Sequence, residues 1–162
     1  MAVDITERTK YAQWLLERNL AWIAQAEVKV AVVISLDAGM ISAAAAAYTT
    51  ASHKTIGAIL ASVLFGVLVI SALACAAMVV KPQVGGPSMS FIFFGRIAER
   101  PAIDFISDLL VVSDKDLLKD LVAQIHRNAE IASKKHQWVR LAILWSFLSA
   151  TAWVIAISQL VK

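Results

Sequence analysis

The chain has 162 residues, 59% of them hydrophobic, with a mean hydropathy of +0.71. Ordinary soluble domains hold about 45–50% apolar residues even with glycine counted, so the composition excludes a typical water-soluble domain. The net charge of +3 and the pI near 9.2 are better read through membrane topology than as a nucleic-acid footprint, and the single cysteine, Cys75, leaves no intrachain disulfide or multi-cysteine metal site.

The first 27 residues carry four acids and three bases and no apolar core, unlike a secretory signal peptide. Residues 4–28 contain no Gly or Pro, and Ala12, Leu15, Leu16, Leu20, Ile23 and Ala26 recur at helical spacing. Nothing breaks the pattern at Lys29, so this helix is expected to run straight into a first span at about 30–48. That span is apolar except for Asp37, and a carboxylate near a helix centre costs about 2.5–3.5 kcal/mol on insertion scales. Residues 56–80 carry no charge and exceed the roughly 20 needed to cross a bilayer.

Pro82, Gly85, Gly86 and Pro87 then break structure and read as a loop. The apolar "MSFIFFG" is expected to lie against the membrane surface or the helical stalk. Pro101 suits the first turn of a short helix ending near Val112, with Ile103, Ile106, Leu109 and Leu110 as its expected buried side. Ser113 is a candidate N-cap, followed by Asp114 and Asp116 at the positive end of a helix dipole. Leu117, Leu118, Leu121, Val122, Ile125, Ala129 and Ala132 form one apolar face, and Glu130 and Lys134 are spaced as an i,i+4 pair. No breaker separates this helix from a third span at 139–161, whose one charge is Arg140. A helix from Asp114 to Leu160 would be roughly 70 Å long.

The predicted fold is therefore all-α and membrane-embedded, with three transmembrane helices, two of them extending into a small cytoplasmic helical unit. Residues 1–29 are the N-terminal cytoplasmic helix. Residues 30–80 are a membrane hairpin with spans of about 30–48 and 56–80. Residues 81–138 are a cytoplasmic loop with two helices, and 139–162 the last span. Of the fifteen Lys and Arg, only Lys54 and Lys162 fall on the side opposite to residues 1–29 and 81–138. Positive residues mark the cytoplasmic side, which places the N-terminus inside and the C-terminus outside. Trp138, Trp145 and Trp153 suit interfacial anchoring, and Trp145 and Trp153 suit core packing equally well.

Asp37 lies eight residues from Lys29, about 12 Å along the helix, too far for a direct ion pair. Hydroxyls at similar depth are Ser71, Ser146 and Ser149, so a polar layer of Asp37, Ser71, Ser146 and Ser149 is expected. It serves either as interhelical glue or, facing water in an oligomer, as the lining of a path. Gly39 with Ala43, Gly57 with Ala61, and Ala72 with Ala76 are spaced for close helix approach, within one chain or between chains. His53, His126 and His136 do not face one another within a span, so haem ligation by an electron-transfer anchor has no support. Arg96, Arg100, Arg127, Lys134 and Lys135 suit lipid headgroups or an anionic ligand such as phosphate. The sequence has no Walker loop, GxGxxG, metal-ligand cluster or nucleophile–base pair, and the expectation is a protein without catalysis or cofactor.

The order of an N-terminal helix, "KVAVVISLDAG", a second span, "FFGRIAE" and "DLVAQIHRNAEIASKKHQWVRLA" before a last span resembles the transmembrane effectors of bacterial Pycsar antiphage defence. The resemblance covers about residues 5–160 and rests on Asp37-Ala38-Gly39, Phe94-Gly95-Arg96 and the helix from Gln124 to Lys135. It implies a switchable inner-membrane protein partnered by a pyrimidine nucleotide cyclase, and a homo-oligomer is the expected assembly. During infection the cyclase makes cyclic UMP or cyclic CMP, and the effector impairs the inner membrane so that the cell dies or stops growing before phage matures. The chain has no recognisable cyclic-nucleotide-binding domain. The alternative function is a constitutive scaffold in which Asp37 only holds helices together.

Overall fold

The computed structural model describes residues 4–161, and Lys162 lies outside them. Five helices follow in order: α1 (Ile5–Thr50), α2 (Ile56–Val80), α3 (Phe94–Ala98), α4 (Ala102–Val111) and α5 (Asp114–Leu160). No strand occurs among the described residues. The all-α class follows from the sequence. Long stretches without Pro and with a helical apolar pattern can satisfy every peptide group within their own helix, as an apolar medium requires. Helices α1, α2 and α5 are long and apolar enough to cross a membrane.

The chain divides into two compact units. The first holds the residues up to Ala24 together with Pro82–Lys134. The second holds Gln25–Lys81 together with the residues from Lys135 onward. α1 and α5 are each unbroken through the change of unit.

In the second unit, the core is built from small residues. Ala26, Ala72, Ala76 and Ala142 have no exposed surface, and Val30, Val79, Cys75 and Val139 fill the space between them. Lipid tails are as apolar as leucine, so little is gained by moving a leucine from lipid to helix. Small side chains that let backbones approach closely are what hold such helices together. Val32, Leu36, Leu60, Val63, Val67 and Phe147 accordingly face outward. Trp138 and Trp145 pack against this cluster, while Trp153 packs with Phe65, Val69 and Ala152 and donates its indole N–H to the Met40 carbonyl at 2.9 Å. Thr55 caps α2, its hydroxyl accepting from the Ala58 N–H at 3.1 Å. Ala72 and Ala76 use their small-residue spacing inside the chain, whereas a side chain added at Gly39 would meet nothing within 4 Å.

In the first unit, Ser113 caps α5 as its sequence position suggests, accepting from the Asp116 N–H at 3.2 Å. Pro101 immediately precedes α4. Two local expectations fail. α4 buries none of its residues, and Ile103, Ile106, Leu109 and Leu110 are all exposed. The pattern identifies an apolar face but cannot say what covers it, and the described residues of this chain do not. Glu130 also bonds backward rather than forward, meeting Arg127 at 3.1 Å and His126 at 3.8 Å instead of Lys134. Arg127 is already fixed by the Gly85 carbonyl, so Glu130 finds a cation held in place one turn earlier.

Candidate functional site

The loop between α2 and α3 is tied down by one serine. The Ser90 hydroxyl accepts from the Ile92 and Phe93 N–H groups at 3.1 and 2.9 Å, a local turn that sets the chain up for α3. It also accepts from Gln124 Nε2 at 2.9 Å and donates to Asp120 Oδ2 at 3.1 Å. The same carboxylate oxygen accepts from the Phe91 N–H at 2.8 Å. Ser90, Asp120 and Gln124 are all buried, so the loop is fixed onto α5 by a closed polar network. Sequence reasoning missed these three. The available signal was the i,i+4 pair Asp120 and Gln124, set beside the apolar stripe of α5 where a water-facing pair would not need to be.

That anchor places Phe93. Its ring lies against two glycines. A Cβ at Gly86 would overlap the ring, and one at Gly95 would come within 2.8 Å of Cε1. Phe94 sits 4.9 Å from Phe93, centroid to centroid. Both rings border a cavity of about 270 Å³ whose polar lining is Gln83, Gln124, Arg127 and Asn128. Arg127 is aimed by its Nε bond to the Gly85 carbonyl at 2.9 Å and its Nη1 bond to Glu130 at 3.1 Å. A guanidinium has five N–H donors, so these two bonds leave three for an anion. One cation, two aromatic faces and several side-chain amides meet in a cavity of small-molecule size.

The other sequence-selected cations are distributed elsewhere. Arg96 binds Glu99 at 2.7 Å, and its Nε is buried without a partner. Arg100 lies 3.7 Å from Asp108 and 5.1 Å from the Phe91 ring centroid. Lys134 is exposed and forms no ion pair among the described residues. Lys135 belongs to the second unit, is buried, and donates to Glu27 Oε1 and the Val79 carbonyl, both at 2.6 Å. Its ammonium thus holds the last turn of α2 to α1.

In the span region of the second unit, Asp37 has no exposed surface. Ser146 donates to its Oδ1 at 2.6 Å, and Ser149, also fully buried, donates to the Ser146 carbonyl at 2.8 Å. Ser71 does not join them, because its hydroxyl donates to Val67 of its own helix. Asp37 Oδ2 is buried with no hydrogen-bond partner. A groove of about 500 Å³ between α1 and α5, bordered by Leu36, Met40, Ser146 and Phe147, opens beside the pair. Among the described residues no cluster of His, Cys, Asp and Glu could hold a metal ion.

Residues 11–161 match the family model described as the Pycsar effector protein domain. The chain belongs to the Pycsar effector family. No curated protein and no solved structure matches it. As a Pycsar effector it is a membrane protein of antiviral defence. The family model takes in both the Phe93–Arg127 cavity and the Asp37–Ser146 pair.

Proposed function

We propose that this Pycsar effector impairs the bacterial inner membrane when a cyclic pyrimidine nucleotide, cyclic UMP or cyclic CMP, enters the Phe93–Arg127 cavity. The observation that carries the reading is the composition of that cavity. Arg127 offers free N–H groups to a cyclic phosphate, the Phe93 and Phe94 rings offer faces to a base, and Gln83, Gln124 and Asn128 offer amides to its edge. Its volume of about 270 Å³ lies just below the roughly 300–1,000 Å³ usual for small-molecule sites, which favours a pyrimidine over a purine. Arg127 anchors the phosphate, with Arg96, Arg100 and Lys134 supplying positive potential on the same unit and Lys135 bracing α2.

The phosphate competes with Glu130 and the Gly85 carbonyl for Arg127. Gln124, Arg127 and Asn128 share α5 with Ser146 and Ser149, so a shift of that helix bears on the contact with Asp37. At rest Asp37 is sealed. In the active oligomer it lines a leak. The nucleotide drives this only to the extent that it binds the leaky state more tightly than the sealed one. The N-terminus is cytoplasmic and the C-terminus periplasmic, a cyclase supplies the ligand, and no catalysis by this chain is involved.

The test is dye and ion leakage from liposomes carrying the purified protein, with cyclic UMP, cyclic CMP and cyclic AMP added separately. Leakage with one pyrimidine nucleotide, lost in Arg127→Ala and altered in Asp37→Asn, is expected. Leakage independent of nucleotide, or indifferent to both substitutions, would overturn the reading. One observation favours the scaffold alternative: Asp37 already has a hydrogen-bond partner, Ser146, within its own chain. That alternative expects no leak with any nucleotide and loss of assembly in Asp37→Leu.

A further inference from the structure

The side-chain amides that border the Phe93–Arg127 cavity differ in freedom. Gln83 and Asn128 form no hydrogen bond among the described residues, so each can turn to offer either its N–H groups or its oxygen. Gln124 cannot. It is buried, and its Nε2 donates to Ser90 Oγ at 2.9 Å. The Ser90 hydroxyl has a single proton, which goes to Asp120 Oδ2 at 3.1 Å. The Ile92 and Phe93 N–H groups donate to the same hydroxyl oxygen from the loop. A Gln124 amide turned end for end would set its own oxygen against Ser90 Oγ with no proton between them. The amide is therefore locked, nitrogen toward Ser90 and oxygen away from it.

Gln124 Oε1 accepts no hydrogen bond among the described residues, yet it is not sealed in. Among those residues, the buried side-chain polar atoms left without a partner are Asp37 Oδ2 and Arg96 Nε. Gln124 is only 4% exposed and borders the cavity, so the cavity is where its oxygen opens. Gln124 and Arg127 are three residues apart on α5, neighbours on one helix face and within reach of one small ligand.

We propose that Gln124 Oε1 is the fixed acceptor that selects the ligand of this cavity, admitting a flat heterocycle whose edge carries an N–H donor, and that Ser90 and Asp120 are the positioning residues that set its polarity. This selection rests on the nucleotide reading of the same cavity and adds the group that the base must present. Uracil answers with its N3–H and cytosine with its 4-amino group. An edge of acceptors alone leaves Gln124 Oε1 stripped of water and facing lone pairs, and the amide cannot turn to relieve it. Gln83 and Asn128 turn to suit whichever edge enters, so they add affinity without choosing. A site built to hydrogen-bond a donor rejects an analogue that lacks it more strongly than an apolar pocket rejects missing bulk.

The test is calorimetric binding to the full-length protein in detergent, with cyclic UMP, cyclic CMP and the cyclic monophosphate of 2-pyrimidinone riboside. The last is cyclic CMP without its 4-amino group. It keeps the phosphate, the sugar and the flat ring, adds no bulk, and has only acceptors on its edge. Against whichever of cyclic UMP and cyclic CMP binds more tightly, the analogue should bind about tenfold more weakly or worse. Gln124→Met keeps the length of the side chain and removes the acceptor, and the ratio should fall to within about threefold. Ser90→Ala unlocks the amide, and the ratio should fall there too, which a uniform loosening of the loop would not cause. Asn128→Leu should weaken both ligands and keep the ratio. The wild-type comparison needs no variant, so it decides the matter even where a variant does not fold. An analogue that binds the wild type within about threefold of the better cyclic nucleotide overturns the proposal and leaves nucleotide binding standing. A ratio unchanged in Gln124→Met does the same, and one unchanged in Ser90→Ala overturns the positioning role. Binding of no cyclic nucleotide overturns the nucleotide reading and this selection with it.

Discussion

Two buried polar centres, one in each unit, answer the same problem in opposite ways. Around Ser90 in the first unit, every participant is engaged: two backbone N–H groups and one amide converge on the hydroxyl, and the Asp120 carboxylate takes the hydroxyl proton and a third N–H. Around Asp37 in the second unit, one hydroxyl serves one oxygen and the other oxygen has nothing. A closed network fixes a single arrangement. A half-closed one is held by the helices around it and is the easier to open. The first centre therefore acts as an anchor for the loop that shapes the cavity. The second has the character of a seam between α1 and α5.

The sharpest way to break this contrast is to remove each carboxylate. Asp120→Ala leaves the Phe91 N–H and Ser90 hydroxyl facing a cavity, and hydrogen bonds to a charged group contribute about 1.5–3 kcal/mol each, so a loss of roughly 3–5 kcal/mol is expected. Asp37→Leu removes one hydrogen bond together with an unsatisfied polar atom, and the pair Asp37→Leu with Ser146→Ala should be near neutral, within about 1 kcal/mol. Thermal unfolding in detergent measures both. Equal destabilisation by the two carboxylate removals would show that the seam is as tightly determined as the anchor.

Next in size is the buried ammonium of the second unit. Lys135→Met removes the cation that joins Glu27 to the end of α2, and breaking a buried pair from one side costs about 3–5 kcal/mol when both charges are buried. Glu27 is half exposed and water can take over its charge, so about 2 kcal/mol is the expected loss here, measured in the same assay. A smaller effect follows from the packing of Phe93. Gly95→Ala places a methyl against the ring, with an expected overpacking cost of about 1–3 kcal/mol. Because the displaced ring borders the cavity, nucleotide binding by calorimetry should weaken at least tenfold, more than the stability change alone explains. Unchanged binding would remove Phe93 from the site.

Depth along a helix was legible in the sequence, while azimuth was not. Counting inward from Lys29 and Arg140 put Asp37 and Ser146 at a common level because the rise per residue is fixed. Ser71 shares that level, yet its hydroxyl turns to Val67. Lys134 and Lys135 look alike as neighbours in a basic cluster. One residue is about 100° around a helix, which leaves Lys134 outside and takes Lys135 to the Val79 carbonyl. The long helices were legible for the same local reason, since nothing in residues 4–50 or 114–160 interrupts them. The Ser90 anchor was not, because Ser90 and Asp120 are 30 residues apart and nothing local to either announces the other. The exposed stripe of α4 marks a further boundary. Pattern gives the face, and only tertiary structure gives its cover.

The smallest expected effect separates the units by pH at their helix starts. In the second unit, Thr55 caps α2 with a hydroxyl and there is no acid in the first turn. In the first, Ser113 caps α5 and also donates to Asp116, which Lys119 reaches at 2.7 Å. Lys119 foremost, then Ser113, holds the Asp116 carboxyl below its ordinary value. A carboxyl lowered in the folded state adds stability that is fully present above its unfolded value and is lost as pH falls through the lower folded value. Ser113→Ala and Thr55→Ala should each cost about 1 kcal/mol near neutral pH. Acidification to below the ordinary carboxylate range should fray α5 from its start and leave the α2 cap untouched. Amide hydrogen exchange at Asp116 and Leu117 against Ala58 reads the difference. Equal acid sensitivity at the two caps would show that the Asp116 carboxylate adds nothing to the hydroxyl cap it accompanies.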